Sequence, residues 1–204
     1  ESFSFDELED KASKVDYHGV YNKLKELDTK KEALNQEVIK LKTSVDELSH
    51  WIKLDTSIKY LSLFEQSHIF LGTIPKKLKQ KVQNELTITE LTYFEIISED
   101  KDNLYVMVLT YKSEEEAVKD IIRNNSFSIL KLIGEDTPER EIAQINDKIE
   151  ELEGKISEYE EEIVALSNNL PDLEVVYDYL MNEKLRVMSS EKFLMTESVI
   201  IIRG

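Results

Sequence analysis

The sequence predicts an α+β protein: a long antiparallel two-helix coiled-coil hairpin with a small α/β lobe at its tip and a strand-like run at its C-terminal end. Three observations point there. The 204 residues include only 5 Gly and 3 Pro while 33% are charged, a composition that favours long solvated helices. Apolar residues recur with 3-4 spacing in two separate runs. Between those runs the period switches to the alternation of strands.

The first helix is assigned to residues 1–57. Its seam is Tyr17, Val20, Leu24, Leu27, Leu34, Val38, Leu41, Val45, Leu48 and Ile52, with Lys31 as the polar member. This is the narrow stripe of a coiled coil, not the broad face of a globular helix. The return helix is assigned to residues 137–190. It starts with Thr137 as N-cap and Pro138 at the first helical position, with Glu139 and Glu141 at the positive end of the dipole. Its seam runs from Ile142 through Ile145, Ile149, Leu152, Ile156, Tyr159, Ile163, Leu166, Leu170, Leu173 and Tyr177 to Leu180. Pro171 falls inside the run without disturbing its phase, which predicts a kink and not a break. Each run would be roughly 75 Å long at 1.5 Å per residue, so each seam needs a partner. The other run of the same chain is the expected one; a parallel homodimer is the alternative.

Residues 58–135 form the lobe. His68–Pro75 reads as a strand, and Lys76–Leu86 as a short helix with Leu78, Val82 and Leu86 on one side. Tyr93–Ser98 and Leu104–Tyr111 make a hairpin turned at Asp100–Asn103. Ser113 and Glu116 form a capping box for a helix to Asn124, and Phe127–Ile133 is a fourth strand. The order βαββαβ is the split, ferredoxin-like unit. Leu104–Tyr111 is apolar on both faces, so something must cover the second face of the sheet. The candidates are Ile58–Phe64, read as the end of the first long helix, or a partner protein. Trp51 is expected where the hairpin meets the lobe, as packing or as a partner contact.

Chemistry is hard to find. With no Cys there is no zinc ribbon, iron–sulfur cluster or thiol nucleophile, and glycines at 19, 72, 134, 154 and 204 cannot make a phosphate-cradling loop. His18, His50 and His68 are isolated, and the acidic runs Glu114–Glu116 and Glu158–Glu162 read as solvated helix faces. No catalytic, cofactor-binding or metal-ligating residue is assigned. Ile69–Ile74 is similar to an RNA-contacting strand, but Asn103–Tyr111 lacks the Lys/Arg-Gly start and central Phe that would accompany it. The net charge of −16, more than half of it on the return helix, also argues against nucleic acid and anionic lipid as partners. Lys76, Lys77, Lys79 and Lys81 are the one basic cluster, read as either a solvated face or a docking patch for an acidic partner helix.

The longest uninterrupted apolar stretch, Val199–Ile202, is far below the ~20 residues of a membrane span, so no direct membrane insertion is expected of this piece. It begins at Glu1 and stops at Arg203-Gly204, and both ends are expected to be cut from something larger.

Taken in order, Gly72-Thr73-Ile74-Pro75, the apolar Leu104–Leu109 strand, Thr137-Pro138-Glu139, Thr196, Val199–Ile202 and Gly204 resemble a known family. It is the cytoplasmic N-terminal domain of subunit a, or subunit I, of V-type and archaeal-type rotary ATPases. The resemblance implies a dumbbell with residues 58–135 as the lobe far from the membrane and residues 191–204 as a remnant of the membrane-near lobe. It implies a non-catalytic stator component on the cytoplasmic face of a membrane, linking the ion channel to the peripheral stalks. The implied partners are the stalk heterodimer of subunits E and G at the distal lobe and the central-stalk cap subunit near the membrane end. The rival expectation is a coiled-coil module of another class, chromosome-structuring or chaperone-like, that binds DNA or a client protein.

Overall fold

In a computed structural model that describes residues 5–190, 194–195 and 200–201, the chain divides into two units, Glu1–Asn35 with Gly154–Gly204 and Gln36–Glu153. It is an α+β protein with long helices and a four-stranded antiparallel sheet. Its helices are α1 (Phe5–Ser13), α2 (Tyr17–Ser49), α3 (Lys79–Leu86), α4 (Glu115–Asn124), α5 (Pro138–Leu166) and α6 (Leu170–Ser190). Its strands are β1 (Ser67–Pro75), β2 (Thr92–Glu99), β3 (Asn103–Tyr111), β4 (Ser128–Leu130) and the short pair β5 (Leu194–Met195) and β6 (Ile200–Ile201). The remainder of the strand expected over 191–204, including Phe193, Thr196, Val199, Ile202 and Gly204, lies outside the described residues.

The sheet order is β2-β3-β1-β4 with every neighbour antiparallel. Period-2 alternation on β3 sends Leu104, Val106 and Val108 to one face, where Phe70, Ile74, Val82, Leu86, Val118 and Ile122 complete a core under α3 and α4. Tyr105 and Met107 point to the other face. There Trp51, Leu54, Leu71 and Ile97 form a second buried cluster, with Leu61 and Leu132 packed against it.

This second cluster explains where the first helix stops. The seam reading carried it to Ile52 and its domain to residue 57, but α2 ends at Ser49, and turns at Trp51 and Leu54 aim both side chains at the sheet. The Ser98 hydroxyl donates to the His50 carbonyl at 2.5 Å, taking up one of the acceptors left at the helix end. Ile58–Phe64 is therefore no continuation of the helix. Ile58–Ser62 is a separate 3-10 turn, tied by the Ile58 N–H to the Asp136 carbonyl at 2.9 Å. At the other end, residues 14–16 separate α1 from α2, so residues 1–57 are not one helix.

Two further expectations fail. The chain turns helical at Lys112, so Ser113 lies inside a 3-10 turn and makes no capping box; Glu116 pairs with Lys119 instead. The fourth strand covers Ser128–Leu130 and not Phe127–Ile133, because Leu132 leaves the ladder to cover the Trp51 cluster. Pro171 sits in the first turn of a new helix. It cannot donate to the Ser167 carbonyl, and a 3-10 turn over Ser167–Asn169 joins α5 to α6, so the helical run changes winding there without breaking, in keeping with the expectation. The start of α5 follows its sequence pattern. Pro138 is buried, the Arg140 N–H reaches Thr137 Oγ1 at 3.4 Å, and Glu141 Oε1 accepts the N–H groups of Glu135 and Asp136.

Ion pairs trace the helix pairing in each unit. In the first, Lys23–Glu162 (3.1 Å) and Lys31–Glu160 (3.8 Å) set α2 antiparallel to α5, with Leu27 buried. In the second, Lys42–Glu153 (2.7 Å) bridges the same helices beside buried Val38, Leu48, Ile149 and Leu152. The polar seam member Lys31 thus finds a carboxylate.

Two glycines separate packing from propensity. A Cβ at Gly72 would collide with the Phe127 ring and the Ser128 carbonyl, whereas one at Gly154, inside α5, meets nothing. Gly72→Ala is expected to lower lobe stability by about 1–3 kcal/mol, read by urea unfolding through Trp51 fluorescence. Gly154→Ala is expected to raise helix stability by about 0.5–1 kcal/mol, read by circular dichroism at 222 nm.

Candidate functional site

The basic cluster grows out of the end of β1. Pro75 closes the strand in an extended conformation, and Lys76–Leu78 makes a 3-10 turn that leads into α3. Val82 and Leu86 bury one side of α3, with Leu78 packed beside them, which leaves Lys77, Lys79 and Lys81 exposed. The four lysines are not equivalent. Lys76 lies 3.4 Å from Glu99 and its backbone N–H donates to the Asp102 carbonyl; Lys81 lies 3.6 Å from Glu85. Lys77 and Lys79 have no carboxylate within ion-pair distance among the described residues, so the uncompensated charge of the patch sits on these two.

The turn beside Lys76 is held by one carboxylate. Asp100 Oδ1 accepts the N–H groups of Asp102 (2.8 Å) and Asn103 (2.7 Å), and Oδ2 accepts the Tyr105 hydroxyl at 3.1 Å. The Asn103 and Asp102 backbone bonds hold the Asp100 carboxyl below its usual range. Burial, and then the bond to Asp100, raises the Tyr105 hydroxyl. The Tyr105 ring stacks on His50 at 4.0 Å and meets Trp51 edge-on at 5.8 Å, linking the turn to the second cluster.

Two other polar groups that shape the lobe carry no signal in the sequence pattern. Glu114, read as part of a solvated acidic run, accepts the N–H groups of Glu90 and Leu91 and the Thr92 hydroxyl, all at 2.9 Å. It thereby ties the entry of β2 to the start of α4. Asn125 is buried and donates to Glu85 Oε2 (2.5 Å) and the Ile121 carbonyl (2.8 Å), joining α4 to α3.

The remaining candidates stay apart. His18 lies against Tyr17, His50 against Tyr105, and His68 against Phe70 with Glu115 at 3.7 Å. Among the described residues no three metal-ligating side chains converge, and no helix is long and apolar enough to cross a membrane. The sheet face that would have to be open for base stacking carries Trp51, Leu54, Leu61 and Leu132. Trp51 is thus an internal packing residue. Beside that cluster a crevice of ≈ 960 Å³ opens between the 3-10 turn Ile58–Ser62, β1 and residues 129–135.

No family model matches the sequence, and no curated protein matches it. Among solved structures, the chain is similar to the cytoplasmic N-terminal domain of subunit I, homolog of subunit a, of V-ATPase, with 14% identity and a TM-score of 0.49. The likeness covers 78% of this chain and 56% of that one, so this chain spans about half the length of the structure it matches.

Because the folded-state pKa of Asp100 lies below its unfolded value, its contribution is full above the unfolded value and is lost as pH falls through the folded one. The expected result is that the stability gap between wild type and Asp100→Asn, measured by urea unfolding, narrows from pH 7 to pH 3.

Proposed function

We propose that this chain is a non-catalytic stator component of a rotary ion-translocating ATPase, and that its lobe docks the peripheral-stalk heterodimer of subunits E and G through the start of α3. The family resemblance of the ordered motifs from Gly72 to Gly204 supplies the complex. The observation that carries the docking surface is the pair Lys77 and Lys79, exposed and without carboxylate partners on a helix whose other side is anchored in the lobe core. A stator part must resist torque and need not do chemistry. A folded lobe joined to long helices with cross-helix ion pairs suits that role.

The finer architecture belongs to the same reading. Element order βαββαβ with sheet order β2-β3-β1-β4 supports the ferredoxin-like assignment of the lobe. Antiparallel ion pairs within each unit support the coiled-coil hairpin. Attachment to the cytoplasmic face of a membrane and contact with the central-stalk cap subunit follow from the resemblance alone.

Titration of the chain with purified, folded E/G heterodimer tests the docking. Saturable binding is expected, weakened about tenfold or more by Lys77→Glu with Lys79→Glu and by added salt. Lys40→Glu, on α2, should leave it unchanged. Absence of binding at micromolar concentrations, or binding indifferent to the double reversal, would contradict the proposal. Salt-sensitive binding to DNA in its place would favour the chromosome-structuring alternative.

A further inference from the structure

Within the unit formed by residues 1–35 and 154–204, the seam is closed on one side only. Helix α1 covers that side: Leu8 and Ala12 are buried, the Phe5 ring lies 5.7 Å from Tyr179, and the Arg186 guanidinium sits 4.3 Å over Phe5. On the other side a groove of ≈ 400 Å³ runs between α2 and α6, lined by seam residues of both helices together with His18 and Tyr21 beside the seam. Val176 is buried at its floor, but four of the lining side chains stay open to solvent. Tyr21 is 59% exposed, Leu24 40%, Tyr177 63% and Leu180 43%, with Leu170 and Met181 extending the strip along α6.

We infer that this groove is a self-association surface. A second copy of the chain would lay its own α2 and α6 into it, making a four-helix arrangement about a two-fold axis along the helices. Area and charge both favour a second copy. The six exposed side chains leave about 600 Å² of mostly apolar surface per copy. Two copies would therefore bury about 1,200 Å², the lower end of what specific protein interfaces use. An association of that size should dissociate in the micromolar range.

The rim matches itself as well. Lys25 lies one turn beyond Tyr21 on α2, and Glu174 one turn before Tyr177 on α6; both are exposed and neither has an ion-pair partner among the described residues. Because the two helices run in opposite directions, these positions fall at nearly the same height along the groove. A two-fold axis along the helices sets Lys25 of each copy opposite Glu174 of the other. Two complementary pairs would then flank the apolar strip and fix its register. The surface is separate from α3, so this inference stands or falls apart from the stalk-docking proposal.

Sedimentation equilibrium of the 204-residue chain from about 5 to 200 μM tests it. The expected result is an average mass that rises with concentration from 23.8 kDa toward twice that value. Tyr177→Glu with Leu180→Glu should hold the chain at 23.8 kDa throughout, with helicity at 222 nm unchanged. Should that variant lose helicity, the charge swap decides. Lys25→Glu should weaken the dimer about five- to tenfold, and adding Glu174→Lys should restore it. A wild-type chain that stays monomeric over the whole range would overturn the inference. So would a dimer that survives the double glutamate variant in its folded form, or one that the swap fails to restore.

Discussion

Everything in the lobe depends on Trp51 closing the second face of the sheet. Two short helices, α3 and α4, cover only one side of four antiparallel strands. The central strand β3 is apolar on both sides, so an open second face would put Leu71, Ile97 and Met107 into water. Trp51 and Leu54 solve this from the turns that directly follow the end of α2. The cost is the helix itself, which must stop at Ser49 to turn those side chains inward. Ser98 offsets part of that by taking the exposed carbonyl of His50. One cluster therefore sets the end of α2, the position of the 3-10 turn after it, and the early exit of β4 from its ladder.

That dependence explains what could be read from the sequence and what could not. Alternation on Leu104–Val108, the Lys76–Leu86 helix and the Thr137-Pro138 start are local patterns, and the structure repeats them because nothing distant opposes them. The failures have separate causes. Leu132 leaves its strand for a contact with the distant Trp51 cluster. Ser113 lost its cap because the chain turned helical before reaching it. Glu114 looked like one of three solvated acids, and only folding revealed three donors on the β2 entry. Heptad phase carries across Pro171, and the spacing of side chains does not register the missing N–H that the backbone answers with a 3-10 turn.

The candidate site shows the same division. A run of lysines was visible at once, but not which of them carry net charge. Glu99 and Glu85 quench Lys76 and Lys81; the fold brings Glu99 in, whereas Glu85 sits one turn on along α3. Screening makes such surface pairs weak contributors to stability, yet they decide where an acidic partner would find unopposed charge. Acidity elsewhere serves a plainer purpose, since a long solvated helix needs a charged coat and cross-helix pairs with α2.

Stalk docking through α3 is the central functional claim, and hydrogen exchange tests it most directly. Amide exchange of the full chain would be compared with and without saturating E/G heterodimer. The account predicts slowed exchange concentrated at residues 76–86, with the amides of β3 unchanged because they already lie in the core. Protection that falls on other elements and spares 76–86, or no protection at all with the heterodimer present and folded, would contradict it.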